Sequence, residues 1–250
     1  MAPATDVRLV GPPETSGEYV GLTTPGGGEE LVHLHDYERF YREPGLYERV
    51  VQDMLGCRSP QVAVDGLALA LAELQVDPAD VVLLDLGAGT GLVGSLVSAI
   101  GVRTIIGIDA LPAARAACLR DRPGVYRDYL IGDLAAAEPE LLTALQGHAP
   151  TALISAGAMG GTHAPPSALL NALALLPARS PVVFTIDERW MQTDGPGGYR
   201  SAVTDLLDSG SLALIQRARF LHRMTTTAEP IYYELVVGHA TQSRRARIGR

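Results

Sequence analysis

A glycine-rich turn is the segment of this sequence best suited to hold a nucleotide-like ligand. The run Asp85-Leu86-Gly87-Ala88-Gly89-Thr90-Gly91 ends a short apolar segment, residues 81–86, that predicts a buried strand, and a helix is expected to begin near Leu92. Glycines let a ligand lie against the backbone, and free amides at a helix start attract electron-rich groups. Gly89, Gly91 and Gly94 also match a dinucleotide-binding turn, so the glycines alone do not decide which ligand binds.

Three acidic residues at successive strand ends distinguish between the possible ligands. Asp85 precedes the first glycine, where a carboxylate would repel a pyrophosphate but attract the sulfonium and ammonium groups of S-adenosylmethionine. Asp109 can accept hydrogen bonds from both ribose hydroxyls, with Ala110 and Leu111 packing on the adenine. Asp133 can accept one from the adenine amino group. Each acid could instead cap a local turn or helix, but together they favour S-adenosylmethionine.

The chain contains no lysine, since all 20 of its Lys and Arg positions are arginine. A Walker-type phosphate loop and a pyridoxal phosphate enzyme each require a lysine, so both are excluded. The same absence removes the common Tyr/Lys pair of nicotinamide-dependent oxidoreductases, the competing class for this turn. Cys57 and Cys118 lie far apart without partners at metal-ligand spacing, so no metal site is expected.

A candidate catalytic base follows the fourth predicted strand. Methyl transfer requires mainly the alignment of donor and acceptor, and a base only where the acceptor must lose a proton. Loop 157–166, at the carboxyl edge of the predicted sheet, contains His163, which could serve as that base or could cap the following helix. Tyr41 could reach the donor carboxylate or could simply pack. His222 and Arg223 are expected to be structural.

The elements that must position these residues alternate between short apolar strands and helices. This pattern predicts an α/β fold with a doubly wound, mostly parallel sheet. Five strands are predicted, at 81–86, 104–109, 128–131, 152–155 and 182–187. Two closing segments, 212–222 and 231–238, have no helix between them, so they predict a terminal antiparallel hairpin that completes a seven-stranded sheet.

Three further segments surround this predicted sheet. Residues 1–30 are interpreted as a flexible arm, because they are rich in Gly, Pro, Thr and Glu and show no sustained apolar period. Apolar residues at helical spacing, broken at Pro44-Gly45 and resumed from Ser59, predict a helical lid over residues 31–77. A single domain is therefore expected at 31–240, followed by a basic tail at 241–250.

The formal net charge of -8 opposes a nucleic-acid partner, because such binding depends on basic groups that displace phosphate counterions. No apolar run approaches the roughly 18 residues that span a bilayer, so no membrane association is expected. The opening residues 1–6 do not resemble a secretion signal, which favours a cytoplasmic location. A small-molecule acceptor is the expected partner, and whether the chain forms a homo-oligomer is left open.

Over residues 31–240 the chain resembles class I S-adenosylmethionine-dependent methyltransferases, through the glycine turn and the acids described above. Segments 90–94, 107–109 and 198–199 also resemble the subgroup named for the Williams-Beuren syndrome region. The resemblance implies a Rossmann-like methyltransferase fold and transfer of a methyl group from S-adenosyl-L-methionine to a small molecule, such as a natural product or metabolite. By the same resemblance, Ser155 and Ala156 would face the donor, and Leu134 would frame the adenine with Asp133.

The complete set of predicted donor contacts is Tyr41, Asp85, Gly87, Ala88, Gly89, Gly91, Asp109, Ala110, Leu111, Asp133, Leu134, Ser155 and Ala156. Two alternatives stay open beside the methyltransferase. One is a protein that binds the donor without catalysis, and the other is a nicotinamide-dependent oxidoreductase.

Overall fold

A seven-stranded sheet runs through the computed structural model, which describes residues 5–11, 17–24, 26–160, 163–192 and 198–241. Numbered after three strands of an amino-terminal sheet, its strands are β4 (Val82–Leu86), β5 (Thr104–Asp109), β6 (Asp128–Ile131), β7 (Ala152–Met159), β8 (Pro181–Asp187), β9 (Leu212–Met224) and β10 (Pro230–Ala240). Their order is β6-β5-β4-β7-β8-β10-β9, and β10 runs antiparallel to both neighbours. The predicted mostly parallel sheet with a terminal antiparallel hairpin is confirmed.

The central strands are apolar on both faces because helices cover the sheet on both sides. On β4, the adjacent residues Leu83 and Leu84 are both fully buried, and they belong to different hydrophobic clusters on opposite faces. β4 lies between β5 and β7, so the strand order reverses direction there. The carboxyl ends of β4, β5 and β7 therefore meet at the switch point where α/β sheets bind ligands.

The helices lie between these strands and at the amino-terminal side of the sheet. They are α1 (Tyr37–Tyr41), α2 (Leu46–Glu48), α3 (Ser59–Leu74), α4 (Leu92–Ala99), α5 (Pro112–Asp121), α6 (Pro139–His148), α7 (Pro166–Ala174), α8 (Glu188–Gln192) and α9 (Tyr199–Asp208), with a π-helical turn at Arg49–Met54 and a 3-10 turn at Pro78–Asp80. α3 packs closely on the sheet, since a Cβ at Gly66 would lie 2.9 Å from Val237 of β10. No helix in the described part of the chain is long and apolar enough to cross a membrane.

The first residues of the chain differ from the sequence prediction. β1 (Asp6–Val10), β2 (Tyr19–Thr23) and β3 (Glu29–His33) form an antiparallel sheet in the order β1-β2-β3. Val20 and Leu22 of β2 are fully buried in the same cluster as Phe40 of α1. The prediction of a flexible arm is therefore wrong for the described part of residues 1–30. Each of these strands has only five residues, which are too few for a regular pattern of apolar residues to be recognised in the sequence.

The predicted lid is also shorter than expected at its start. β3 extends to His33, so the first lid helix begins only at Tyr37. The predicted break at Pro44-Gly45 coincides with the start of α2, where Gly45 adopts a left-handed conformation with φ of 66°. The basic tail lies beyond Thr241 and therefore outside the described residues.

Candidate active site

A cavity of about 530 Å³ opens at the carboxyl edge of the sheet. Its wall combines the glycine turn after β4 with residues that follow β5, β6 and β7. The lid helices and the β9–β10 hairpin supply the remaining wall. The volume lies within the range of sites for small ligands. One cavity thus brings together most of the elements that were predicted from the sequence to carry the site.

The glycine turn keeps the backbone close to this cavity. Gly87 has φ of +77°, and a Cβ there would lie only 2.3 Å from the Cβ of Ala158. The backbone N–H groups of Gly87 and Ala88 both donate to the carbonyl of Ile108, at 2.9 and 3.0 Å, which holds the turn against β5. A side chain at Gly87 would push the turn away from β7, so glycine is required here for both conformation and space.

Most of the predicted donor contacts lie on the cavity wall. They are Tyr41, Gly87, Ala88, Gly89, Asp109, Ala110, Leu111, Asp133, Leu134 and Ala156, and the predicted base His163 lies on the same wall.

Two of the predicted donor contacts are buried behind the wall instead. The Ser155 side chain is fully buried and donates to the carbonyl of Leu86 at 2.8 Å, so it joins β7 to β4 rather than facing a ligand. A Cβ at Gly91 would lie 2.7 Å from Sγ of Cys118, so Gly91 allows α4 and α5 to approach each other. Sequence position could not show this, because neighbouring residues at a strand end point in opposite directions.

Asp85 is also fully buried, but its chemistry still points toward a cation. Tyr126 donates to its Oδ2 at 2.6 Å, whereas Oδ1 has no hydrogen-bond partner within the described residues. Burial raises the pKa of Asp85 to about 7, against the opposing effect of the Tyr126 hydrogen bond. The prediction of direct contact between Asp85 and the donor is corrected, but a buried carboxyl with an unpartnered oxygen beneath the turn fits a cationic ligand above it.

Asp109 and Asp133 occupy the strand ends that the sequence predicted. Asp109 accepts from the backbone N–H of Gly89 at Oδ2 and of Leu111 at Oδ1, both at 2.9 Å. Burial raises its pKa above the ordinary value. Asp133 accepts from the N–H of Ala135 at 2.8 Å, so it caps a local turn while lining the cavity. Each carboxylate oxygen can accept a second bond, which leaves capacity for a ligand at both positions.

Three lid tyrosines, Tyr37, Tyr41 and Tyr47, line the cavity, and one of them lies beside the glycine turn. The ring of Tyr41 lies 5.9 Å from that of Tyr37 and 5.3 Å from that of Tyr47. A Cβ at Gly89 would lie 3.2 Å from the Tyr41 hydroxyl, so this side chain approaches the turn itself. Burial raises the pKa of all three hydroxyls well above the ordinary value, which keeps them neutral hydrogen-bonding groups.

His163 lies beside two lid residues. Its Nε2 is 3.3 Å from the Tyr37 hydroxyl, and its ring lies 5.1 Å from that of His35 in an edge-on arrangement. Burial lowers the pKa of His163, and the charge of Arg223 adds to this effect. The imidazole is therefore neutral near pH 7, as a proton acceptor must be.

Sequence reasoning missed the hairpin side of the wall. His222, Arg223 and Tyr233 line the cavity together with Ser59 at the start of α3. The expectation that His222 and Arg223 are structural is incomplete, because Arg223 binds Glu18 at 2.6 and 2.8 Å but both residues also line the cavity. The sequence carries no motif that joins residue 59 to residue 222, and the packing of the start of α3 beside β9 brings them together.

The described residues contain no group of three or more His, Cys, Asp or Glu side chains arranged to hold a metal ion.

Two solved structures with a similar fold are described as methyltransferases. One is the N-methyltransferase NodS from Bradyrhizobium japonicum in complex with S-adenosyl-L-homocysteine, at 15% identity, with a TM-score of 0.52 over 83% of this chain and 97% of that chain. Another is a proposed RNA methyltransferase from Pyrococcus horikoshii, at 17% identity, with a TM-score of 0.51 over 72% of this chain and 85% of that chain. No protein-family model and no curated protein matches the chain.

At these identities the likeness concerns the fold, and the chain has the Rossmann-like fold of class I methyltransferases. The resemblance to the Williams-Beuren subgroup stays a prediction.

Proposed function

We propose that the protein transfers a methyl group from S-adenosylmethionine to a small-molecule acceptor. The observation that carries this proposal is that a single cavity joins the glycine turn, Asp109 and Leu134 on one side with His163 on the other. The fold supports it, because NodS has this fold and was crystallised with S-adenosyl-L-homocysteine. The bound donor would supply an electrophilic methyl carbon on a sulfonium.

The residues of the chain bind and align the donor in this proposal. The turn at Gly87 and Gly89 allows the methionine part to lie against the backbone, and Asp109 accepts the ribose hydroxyls with its remaining lone pairs. Leu134 and Leu111 pack on the adenine. The lid tyrosines exclude water, and His163 accepts the proton that an acidic acceptor loses.

Calorimetry tests donor binding directly. We expect saturable binding of S-adenosylmethionine and none of NAD to the wild-type protein. Gly87→Ala should weaken donor binding by tenfold or more and cost about 1–3 kcal/mol of unfolding free energy, because the new Cβ overlaps Ala158 at a positive φ. Gly147→Ala in α6 is the matched control, since a Cβ there meets nothing within 4 Å, and it should leave binding unchanged.

Binding of NAD in place of S-adenosylmethionine would contradict the proposal. Turnover of labelled donor with a panel of small acceptors then separates an enzyme from a protein that only binds the donor. Donor binding without transfer to any acceptor class would favour the non-catalytic alternative.

A further inference from the structure

A buried serine–histidine pair lies on the acceptor side of the cavity. Ser59 Oγ is 2.6 Å from Nδ1 of His222, and both residues are buried. Backbone bonds fix this approach, because the N–H of Arg58 donates to the carbonyl of His222 at 2.8 Å. The imidazole also stacks on Tyr233, with ring centroids 3.8 Å apart and planes 18° apart. Its position and its plane are therefore both constrained.

The buried serine indicates which nitrogen of His222 carries the proton, and Sγ of Cys57, 3.8 Å from the same Nδ1, is the other side-chain contact of that atom within the described residues. Within the described residues, the hydroxyl of Ser59 has no hydrogen-bond partner other than Nδ1 of His222. If Nδ1 carried a hydrogen, the serine hydroxyl hydrogen would be buried without an acceptor, at a cost of about 1–3 kcal/mol. The serine therefore donates to Nδ1, and the proton of the neutral ring is on Nε2.

The Nε2–H group is the one available to a ligand. In the part of the chain that the structure describes, Nε2 of His222 has no protein partner, and His222 lines the cavity. A Cβ at Gly157, at the carboxyl end of β7, would lie 3.8 Å from Cε1 of His222, so this edge of the ring faces the region beside the glycine turn. His222 thus presents a fixed hydrogen-bond donor to the acceptor.

The charged groups on the cavity wall have both signs, because Asp36, Glu38, Asp109 and Asp133 line it together with Arg223. Arg223 lines the cavity, whereas Glu18, which binds it at 2.6 and 2.8 Å, is not part of the described cavity wall. Burial lowers the pKa of His222 to about 3 and that of His35 to about 4, and the charge of Arg223 contributes to both shifts. A neutral amine nitrogen has a single lone pair, which it uses to attack the methyl carbon, whereas a hydroxyl oxygen keeps a second lone pair that can accept the Nε2–H bond.

We propose that Ser59 positions His222 as an Nε2–H donor to the acceptor oxygen, so that the site methylates a phenol or enol hydroxyl rather than an amine. This inference rests on the proposed function. The hydroxyl proton moves to the imidazole of His163 while the oxygen attacks the methyl carbon. The C–O bond forms, and the C–S bond breaks with its electron pair on sulfur. The products are a neutral methyl ether, S-adenosylhomocysteine and protonated His163.

The tautomer is tested by long-range 1H–15N correlation spectra of histidine-labelled protein, with His222→Phe to assign the signal. We expect the Nε2–H form in the wild type, and loss of this single form in Ser59→Ala. A wild-type Nδ1–H form would overturn the proposal. If Ser59 had only a structural role, the Ser59→Ala substitution would leave the tautomer of His222 unchanged, which would also contradict the proposal.

The acceptor class is tested by the binding of 4-nitrophenol and 4-nitroaniline, with and without S-adenosylhomocysteine. We expect a preference for the phenol that falls about tenfold in His222→Phe, which keeps a ring to stack on Tyr233 but has no donor. His239→Phe is the matched control, because His239 pairs with Pro181 at the opposite end of the hairpin. Equal binding of the two probes, or a preference for the aniline, would overturn the inference.

The two proposals fail in different ways. Absence of S-adenosylhomocysteine binding would count against the proposed function. The tautomer and the probe preference, measured without that ligand, would still decide this inference.

Discussion

Asp85 is completely buried, and one of its carboxyl oxygens has no hydrogen-bond partner within the described residues. Its charge should therefore depend on whether a cation lies near the glycine turn. The free protein holds the proton tightly, because burial raises the pKa to about 7. Folding is therefore favoured by this group at acid pH, and that contribution is lost as the pH rises from 3.8, the ordinary value, to about 7. A cation near the turn would reverse the preference by favouring the carboxylate.

The affinity for S-adenosylmethionine should consequently rise with pH. If donor binding requires ionised Asp85, the affinity will be about tenfold weaker at pH 6 than at pH 8, because the group is mostly protonated at the lower pH. Calorimetry at both pH values, in two buffers of different ionisation enthalpy, would also detect the released proton. Asp85→Asn should lose this dependence, and a wild-type affinity equal at both pH values would contradict the prediction.

At the scale of elements, an ion pair fastens the amino-terminal sheet to the β9–β10 hairpin. Glu18 precedes β2 and accepts two bonds from Arg223, at 2.6 and 2.8 Å, and one from the N–H of Thr226 at 3.0 Å. The Arg223 side chain is 9% exposed and that of Glu18 is 22% exposed. Removing one partner of an ion pair that is this well shielded from solvent is destabilising, because the remaining charge loses its partner.

Glu18→Gln should therefore destabilise the protein by about 1–3 kcal/mol, less than for a fully buried pair because Glu18 retains some exposure. Denaturant unfolding measures the cost, and hydrogen exchange should show faster opening of β2 and β3. The matched control is Glu29→Gln, which breaks the 3.6 Å contact with Arg8 between side chains that are 71% and 65% exposed. That change should cost less than about 0.5 kcal/mol. Equal effects of the two variants would show that the Glu18 pair does not fasten the sheet.

At the scale of the whole molecule, the net charge of -8 limits the kind of acceptor. The similarity to a proposed RNA methyltransferase concerns the fold, and the charge of this chain opposes a polyanion. We expect no shift of labelled single-stranded or duplex RNA at about 50 mM salt, a condition that favours non-specific binding. Saturable RNA binding that weakens with added salt would contradict a small-molecule acceptor.

The sheet could be predicted from the sequence because its strands are short apolar runs with distinct boundaries. β5 and β6 begin and end at the predicted residues, and the glycine turn lies at the predicted strand end. β7 continues through Gly157 to Met159, where a loop was expected, because its pairing with β8 becomes irregular after Ser155 and resumes at Met159. A pattern in the sequence indicates the structure of its own segment, whereas this irregular pairing depends on the neighbouring strand β8.

Most residues of the cavity wall on the donor side, together with His163, could also be located from the sequence, whereas the contact between Ser59 and His222 could not. The residues of the donor side follow their strands directly, so strand ends locate them. Ser59 and His222 are 163 residues apart, and their contact depends on how the start of α3 meets the end of β9. No periodicity or spacing within the sequence records that docking.

Because Arg223 lies late in the chain, its ion pair with Glu18 can form only near the end of translation. Arg223 is 205 residues from its partner Glu18, and β10, which is made after β9, separates β9 from β8 in the sheet. On the ribosome, the segment from Tyr41 to His163 is translated before either hairpin strand exists, so the donor side, Ser59 and His163 are made before His222, Arg223 and Tyr233. A nascent chain that has emerged only through β8 therefore lacks the hairpin part of the cavity wall, which is complete only after β10 has been translated.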